Sequence, residues 1–282
     1  MAENLESLKD WVGQKESGVD YVTVPLVERL AATLDLEHAP KEGEPLPAGW
    51  FATLFPRVVR QSQVGADGHP QRGDFLPPVP LPRRMFAGRR VTFETDLLVG
   101  ERAHKQSEIV NVAIKDGRSG KMVFVTVRHA ISSARGLAIV EEQDIVYRGD
   151  PDPGAPKAQP QPAARTATWT RPFTPEPVVL FRFSALTFNG HRIHYDHPYV
   201  TEVEGYEGLV QNGGLTTLLV SELARMKSNR AIKSMVSRNV RPMFAGHEFM
   251  ICGEPNADGS AAKLWVTDHE GALALSAEIQ FA

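Results

Sequence analysis

The chain has 282 residues, of which 42% are hydrophobic and 23% charged, a composition typical of a globular protein with one large or two small cores. Its formal net charge of -3 excludes the overall basic surface that non-specific nucleic-acid binding requires. The single cysteine, Cys252, excludes an intrachain disulfide and a cysteine-based zinc cluster. No apolar run is long enough to span a bilayer, and the first residues resemble neither a signal nor a transit peptide. We therefore expect a cytoplasmic protein that binds neither nucleic acid nor membrane.

The first half of the chain predicts one helix followed by four strands. Thr23 can cap the helix and Pro25 suits its first turn. Apolar residues then recur at helical spacing, namely Leu26, Val27, Leu30, Ala31 and Leu34. Strand-like runs follow over 91–101, 107–115, 121–129 and 137–147.

A proline-rich stretch separates this half from the next. Eight prolines punctuate small and polar residues between positions 149 and 177, which predicts a linker that is stiff in places. We therefore divide the chain into an N-terminal unit over 1–148, a linker over 149–177 and a C-terminal unit over 178–282.

The second half predicts the same order of elements. Asn212 can cap a helix whose apolar stripe consists of Leu215, Leu218, Leu219 and Leu223. Strand-like runs follow over 236–240, 248–252, 263–268 and 272–281. A helix followed by consecutive strands indicates an antiparallel α+β fold.

Short matches in the same order suggest that the two halves are duplicates. Met85-Phe86-Ala87-Gly88 is matched by Met243-Phe244-Ala245-Gly246, and each match precedes an apolar-alternating run. The pattern predicts one helix wrapped by a curved sheet, twice over, with the two sheets joined side by side.

The most informative segment runs from position 181 to 198 and contains Asn189-Gly-His191-Arg-Ile-His194; it is followed by Asn212-Gly213-Gly214. It resembles the MaoC-like hydratases and dehydratases of the hot-dog superfamily, and more closely their hydroxyacyl-thioester dehydratase type 2 branch. The resemblance extends to Gly49-Trp50-Phe51 and to the block from 83 to 88. It implies a double hot-dog fold, an acyl-thioester substrate, and no cofactor beyond coenzyme A as part of that substrate.

The resemblance also implies which residues carry the chemistry. The wider family has an acidic residue five positions before a histidine, and this chain has Asn189 and His194 at that spacing. An amide cannot exchange a proton near neutral pH, so His194 is the candidate general acid/base and Asn189 is expected to orient the water. The backbone N–H groups of Gly213 and Gly214 are expected to stabilise charge on the thioester oxygen. The first half lacks this motif and is expected to supply an apolar slot for the acyl tail.

Other interpretations of the same segment are weaker. His191, His194 and His197 with Asp196 could suggest a metal site, but their spacing does not place them on one helical face, so we expect no metal. Tyr195 and Asp196 could orient the histidine or simply cap a turn.

Six basic residues and no acid lie between positions 225 and 241. Such a run is often a solvated face. Arginine also suits phosphate oxygens, so Arg225, Lys233, Arg238 and Arg241 are candidates for binding the phosphates of coenzyme A or the acidic surface of an acyl carrier protein.

These features favour a hydro-lyase acting on an enoyl- or 3-hydroxyacyl-CoA thioester, with a short dicarboxylic acyl group such as itaconyl or mesaconyl as the first choice. The alternatives are a 3-hydroxyacyl dehydratase for fatty acyl chains on coenzyme A or acyl carrier protein, a thioesterase, and a non-catalytic acyl-binding module. Since hot-dog repeats tend to pair, the chain could form a homodimer or already contain its pair.

Overall fold

The computed structural model describes residues 5–71, 73–117, 120–149, 160–163 and 166–282. Ten strands form one antiparallel sheet in the order β1-β3-β4-β5-β2-β7-β10-β9-β8-β6. Their bounds are β1 Lys15–Tyr21, β2 Arg83–Phe93, β3 Arg102–Gly117, β4 Gly120–Ser133, β5 Gly136–Arg148, β6 Trp169–Phe173, β7 Ile232–Asn239, β8 Phe249–Pro255, β9 Ala261–Thr267 and β10 Leu273–Phe281. The first five strands and the last five have the same order within the sheet, so the predicted double hot-dog fold is confirmed.

The two halves join through β2 and β7 at the centre of the sheet. This antiparallel ladder runs from the Gly88–Arg238 pair to the Thr92–Ser234 pair. Glycine is required at position 88, since a Cβ there would lie 2.3 Å from the carbonyl oxygen of Ser237. The sheets therefore join side by side, as predicted.

In the part of the chain that the structure describes, three α-helices accompany the sheet: α1 Val24–Thr33, α2 Pro177–Leu186 and α3 Gly213–Lys227. The Thr23 hydroxyl accepts a hydrogen bond from the N–H of Leu26, which confirms the predicted cap of α1. Helix α3 contacts β6 to β10 and all its residues from 215 to 224 are buried, so it is the helix that the C-terminal sheet wraps.

The N-terminal repeat differs from the prediction that it too wraps a long helix. Helix α1 packs mainly against α2, which follows the first strand of the C-terminal repeat as α1 follows β1. The counterpart of α3 is the single 3-10 turn Trp50–Thr53. Trp50 is buried and its Nε1–H donates to Oε1 of Glu222 on α3 over 2.8 Å, so this turn packs on the helix of the other repeat.

The duplication is confirmed, but its predicted alignment is wrong. Residues 85–88 lie inside β2, whereas Met243–Gly246 form the turn after β7. The true counterpart of that turn is Leu97–Gly100, after β2. Each turn has one isolated bridge at its second residue, Leu98 with Pro45 and Phe244 with Val210.

The C-terminal repeat begins before the predicted boundary at 178. Strand β6 lies within the predicted linker and pairs with β8 at the sheet edge, where Pro172 is tolerated. Two parts of the linker, 150–159 and 164–165, lie outside the described residues. The first predicted strand is also displaced, because β2 starts at Arg83 and ends at Phe93, and residues 94–101 form a turn instead.

Two apolar clusters hold the fold together. The larger lies between the helices and the inner face of the sheet and spans both repeats. The smaller lies where Leu8, Phe75 and Val79 cover β3 to β5. Within the described residues, no helix is long and apolar enough to cross a membrane.

Candidate active site

The catalytic loop predicted from sequence begins where α2 ends. Phe188 adopts a left-handed conformation, with φ 51°, and turns the chain out of the helix. The N–H of Asn189 then donates to the carbonyl of Ser184 over 2.8 Å. The chain continues into the 3-10 helix Arg192–His194, which places His194 in the interior of the protein.

His194 is a buried imidazole in a defined tautomer. Its Nδ1 lies 2.8 Å from the carbonyl oxygen of Val210, and because a carbonyl can only accept, Nδ1 carries the proton. Nε2 of the neutral ring therefore has a free lone pair. Burial lowers the pKa of His194 from 6.5 to about 4, although the Val210 carbonyl opposes this shift by stabilising the charged ring. At neutral pH the residue is thus a base with one available nitrogen.

This environment predicts the pH dependence of the reaction. With neutral His194 as the predicted base, we expect the acidic limb of the kcat/KM profile to have its midpoint near the pKa of about 4 and not near 6.5. The unfolded chain binds more protons than the folded protein between these two values, so stability also falls as pH drops through this window. Circular dichroism at each pH therefore has to accompany the rates. A midpoint near 6.5 with the fold intact would contradict the assignment.

Asn189 contacts both the loop and the start of α3. Its Oδ1 accepts from the N–H of His191 over 3.1 Å, which is the turn contact expected of an Asn-Gly pair. Its Nδ2 lies 3.5 Å from Oδ1 of Asn212, the residue before α3. The turn role of Asn189 therefore exists in the structure, and its role in orienting water stays a prediction.

The start of α3 offers unpaired backbone donors. Asn212 occupies the N-cap position, but its side chain makes no cap hydrogen bond and its Nδ2 donates instead to Oγ of Ser184. Within the described residues, the N–H groups of Gly213 and Gly214 have no acceptor, as expected for the first turn of an uncapped helix. A Cβ on either glycine would come no closer than 3.5 Å to another residue, so protein packing does not require glycine there. A close approach of substrate would explain both glycines.

The N-terminal repeat contributes two side chains to this region that the sequence analysis missed. The turn at 65–68 lies against the catalytic loop, and the N–H of Arg192 donates to the carbonyl of Asp67 over 2.9 Å. Asp67 Oδ2 lies 3.0 Å from Nδ1 of His69, and the His69 ring lies 4.0 Å from the ring of His191. Burial would raise the pKa of Asp67, but the hydrogen bonds from His69 hold it well below its usual range.

The ligand atoms of Asp67, His69 and His191 lie within 4.8 Å of one another, close enough to bind one divalent metal ion. This set differs from the trio of histidines considered from the sequence. Of that trio, His197 is exposed, and the rings of His191 and His194 lie 5.5 Å apart. Asp67 and His69 are already hydrogen-bonded to each other, and burial, reinforced by His69, lowers the pKa of His191 far below 6.5.

Tyr195 and Asp196 hold the loop together. The Tyr195 hydroxyl donates to the carbonyl of Gly190 over 2.9 Å. Asp196 pairs with Arg192 at 2.7 Å and accepts from the N–H of Tyr199. These contacts support the turn-capping interpretation of both residues.

The predicted basic patch is not one surface. Arg225 pairs with the buried Glu222 at 2.6 Å, near the end of α3 opposite to Gly213. Arg241 pairs with Asp268 at 2.9 Å and with Glu270 at 3.6 Å, so acids from a distant hairpin neutralise part of the run. Arg238 is exposed and lies at the β2–β7 seam, and Lys233 is exposed near the start of β7. Coenzyme binding by these residues stays a prediction. Arg238 and Arg241 flank Asn239, whose side chain lies beside Gly213.

A cavity of about 270 Å³ lies on the inner face of the N-terminal repeat, where the short Trp50–Thr53 turn replaces a helix equivalent to α3. The predicted apolar slot for the acyl tail stays a prediction, and this cavity differs from it in character. Charged and polar side chains line much of the cavity, namely Glu16, Arg57, Arg84, Arg89, Lys105, His129, Glu141 and Gln143.

Comparisons with known proteins agree with this fold. Residues 49–245 match the family model of hydroxyacyl-thioester dehydratase type 2. The chain is 44% identical to mesaconyl-C(4)-CoA hydratase of Chloroflexus aurantiacus over 274 residues, 96% of each protein. A MaoC-like dehydratase from Phytophthora capsici has a similar fold, with a TM-score of 0.68, 14% identity and 99% of both chains covered. A double hot-dog protein of Mycobacterium tuberculosis gives a TM-score of 0.63 at 14% identity, over 98% of this chain and 97% of that one.

The matched family model covers more than half of the chain, and the bacterial relative covers nearly all of it. The chain therefore belongs to the hydroxyacyl-thioester dehydratase type 2 family and is a hydro-lyase.

Proposed function

We propose that this protein reversibly adds water to the carbon–carbon double bond of a coenzyme A thioester whose short acyl group carries a second carboxylate, with mesaconyl-C4-CoA as the first candidate and itaconyl-CoA as the second. The observation that carries the reaction type is the buried His194, whose Nδ1 is fixed on Val210 and whose Nε2 is left for proton transfer. The substrate class is supported by the Chloroflexus relative, which shares 44% of residues.

In the hydration direction, Nε2 of His194 takes a proton from water as the water oxygen bonds to the β carbon. The electron pair of the double bond moves toward the thioester carbonyl. The N–H groups of Gly213 and Gly214, at the positive end of the α3 dipole, stabilise the negative charge on that oxygen. The proton on His194 is then delivered to the α carbon, so water is added and the base is regenerated.

The direct test is incubation with mesaconyl-C4-CoA, itaconyl-CoA and straight-chain enoyl-CoA esters, following loss of the enoyl-thioester absorbance and formation of the hydroxyacyl product. Reversible hydration of a dicarboxylic ester would support the proposal. Hydration of only long straight-chain esters would move the protein to fatty acyl substrates. Release of free coenzyme A without hydration would identify a thioesterase instead.

Arg241 gives a separate prediction about the coenzyme. We expect Arg241→Ala to raise KM for coenzyme A substrates by about tenfold or more, because a charge-assisted phosphate contact contributes roughly 1.5–3 kcal/mol. Truncated thioesters without the nucleotide should be much less affected. Arg230→Ala is the matched control, since Arg230 is an exposed residue of the same run beyond the far end of α3. Equal effects on full and truncated substrates would rule out the nucleotide contact.

A further inference from the structure

The inner face of the N-terminal repeat carries a row of polar side chains across four adjacent strands. Ser107 on β3 pairs in register with His129 on β4, and His129 with Glu141 on β5. His129 Nδ1 lies 2.8 Å from Oγ of Ser107. Arg89 on β2 lies 3.2 Å from Glu141, and both side chains are less than a tenth exposed. A row of charged groups thus occupies what is normally the core-facing side of a sheet.

The equivalent row in the C-terminal repeat is apolar. The same spacing of 146 residues separates Leu97 from Met243 in the two turns and Arg90 from Val236 in the central ladder, so Arg89 corresponds to Met235. The strand pairings that lead outward from these positions give the other counterparts. In order, Arg89, Gln143, Glu141, His129 and Ser107 correspond to Met235, Ile279, Ala277, Leu264 and Gly253. Those five residues pack in the core beneath α3. In place of a buried helix and the apolar residues beneath it, the N-terminal repeat therefore has a cavity lined on its sheet side by polar residues.

This cavity has an excess of positive charge. Four cationic side chains line it against two carboxylates, Glu16 and Glu141. Arg57 has its own partner, Asp74, at 2.6 Å. Within the described residues, Arg84 and Lys105 have no carboxylate within ion-pair distance, and the buried Nε of Arg89 has no hydrogen-bond partner. Unpaired cations in a partly buried space are costly unless an anion joins them.

The cavity adjoins the catalytic loop. Thr187, two residues before Asn189, lines one side of it. Arg84 lines this cavity and also a second one beside Asp67 and His69, and its charge contributes to the lowered pKa of His191. A β-bulge between Phe86 and Gly88 lets Arg84 share the inner face with Arg89 despite the odd spacing between them. Arg84 therefore lies between the proposed site of water addition and the charged residues on the inner face of the N-terminal sheet.

We propose that this cavity is an anion-binding acyl subsite that receives the free carboxylate of the substrate, with Arg84 as the principal specificity residue and Lys105 and Arg89 providing the positive field behind it. The inference rests on the proposed hydratase function. A carboxylate on the β carbon lies next to the double bond that reacts. A cation that binds this carboxylate must therefore lie close to the catalytic loop. Arg84 meets that requirement, and a guanidinium can bind a carboxylate through two parallel hydrogen bonds.

The test compares two esters that differ in one group. Mesaconyl-C4-CoA has a carboxylate and a methyl group on the β carbon, and 3-methylcrotonyl-CoA has two methyl groups there. The measured quantity is the ratio of their kcat/KM values, which cancels effects on coenzyme binding and on general acid/base catalysis. In the wild-type protein we expect a ratio strongly in favour of the dicarboxylic ester.

Arg84→Met and Lys105→Met remove cations without leaving a paired carboxylate behind. We expect Arg84→Met to lower the ratio by at least about tenfold and Lys105→Met to lower it by a smaller factor. Arg90→Met is the control, because Arg90 lies on the same strand but pairs with Asp144 at 2.6 Å on the opposite face of the sheet, so the ratio should not change.

The outcomes separate the subsite from the function. A wild-type protein that hydrates both esters equally, or an unchanged ratio in both folded cavity variants, overturns the subsite and leaves the hydratase in place. If Arg84→Met does not fold, the Lys105→Met ratio decides. A wild-type protein that hydrates neither these esters nor any other enoyl-CoA overturns the proposed function itself.

Discussion

His194→Ala is expected to lower kcat for hydration by about 100- to 10,000-fold, the range typical for removal of a general acid/base. The substitution removes the one nitrogen positioned to take the water proton, since Nδ1 of His194 is committed to Val210. Stopped-flow or steady-state measurement of the enoyl-thioester absorbance gives kcat directly. KM should change much less than kcat, because the imidazole acts on water and not on the coenzyme.

The matched variant is His194→Asn. Its Nδ2 can replace Nδ1 as donor to the Val210 carbonyl, so the loop keeps its hydrogen bond, but nothing replaces Nε2. If this variant folds like the wild type and is as inactive as His194→Ala, the loss is chemical. Turnover near the wild-type rate in either variant would disprove the role of His194.

The sequence predicted the fold and the part of the candidate site that comes from the C-terminal repeat, because those features depend on residues close together in the chain. The segment from Asn189 to His194 and the Asn212-Gly213-Gly214 helix start each lie within a few residues, and the stripe beginning at Leu215 marks a buried helix. Local signals also identified α1 correctly as a helix. They could not show that α1 packs against α2, or that the Trp50–Thr53 turn lies where the N-terminal counterpart of α3 was expected, because both features depend on contacts with the other repeat.

The missed features depend on contacts between residues far apart in the chain. Asp67 and His69 come from the other repeat, and their only signal was the Asp-Gly-His-Pro turn itself. The basic run contains no acid, yet Asp268 and Glu270 reach Arg241 from the hairpin between β9 and β10. The polar row on the inner face was likewise hidden, since strands with charged residues on alternating positions are usually interpreted as half-exposed.

The second large effect on activity is expected from a substitution at the contact between the two repeats beside the catalytic loop. We expect Gly68→Ala to lower kcat/KM by about 100-fold, the loss that a misplacement of about 1 Å can cause in an active site. A Cβ on Gly68 would lie only 1.8 Å from the carbonyl oxygen of Gly190, and this contact is with backbone, so no side chain can move aside. The two loops must separate, which displaces Asp67, His69 and the segment that carries Asn189. Kinetics with mesaconyl-C4-CoA measures the loss.

Gly13→Ala is the matched control for the backbone strain of this substitution. Gly13 has φ 91° and Gly68 has φ 88°, so an alanine pays a similar conformational cost at both positions, but a Cβ on Gly13 meets no atom within 4 Å. Both variants should lose stability from the strained turn, measured as a shift in the midpoint of chemical unfolding, and the shift should be larger for Gly68→Ala because its Cβ also clashes with Gly190. The loss of kcat/KM should be confined to Gly68→Ala, because only at position 68 does the added Cβ press against the backbone of the catalytic loop. Full activity in a folded Gly68→Ala protein would show that the N-terminal turn is not needed to hold the loop in its reactive position.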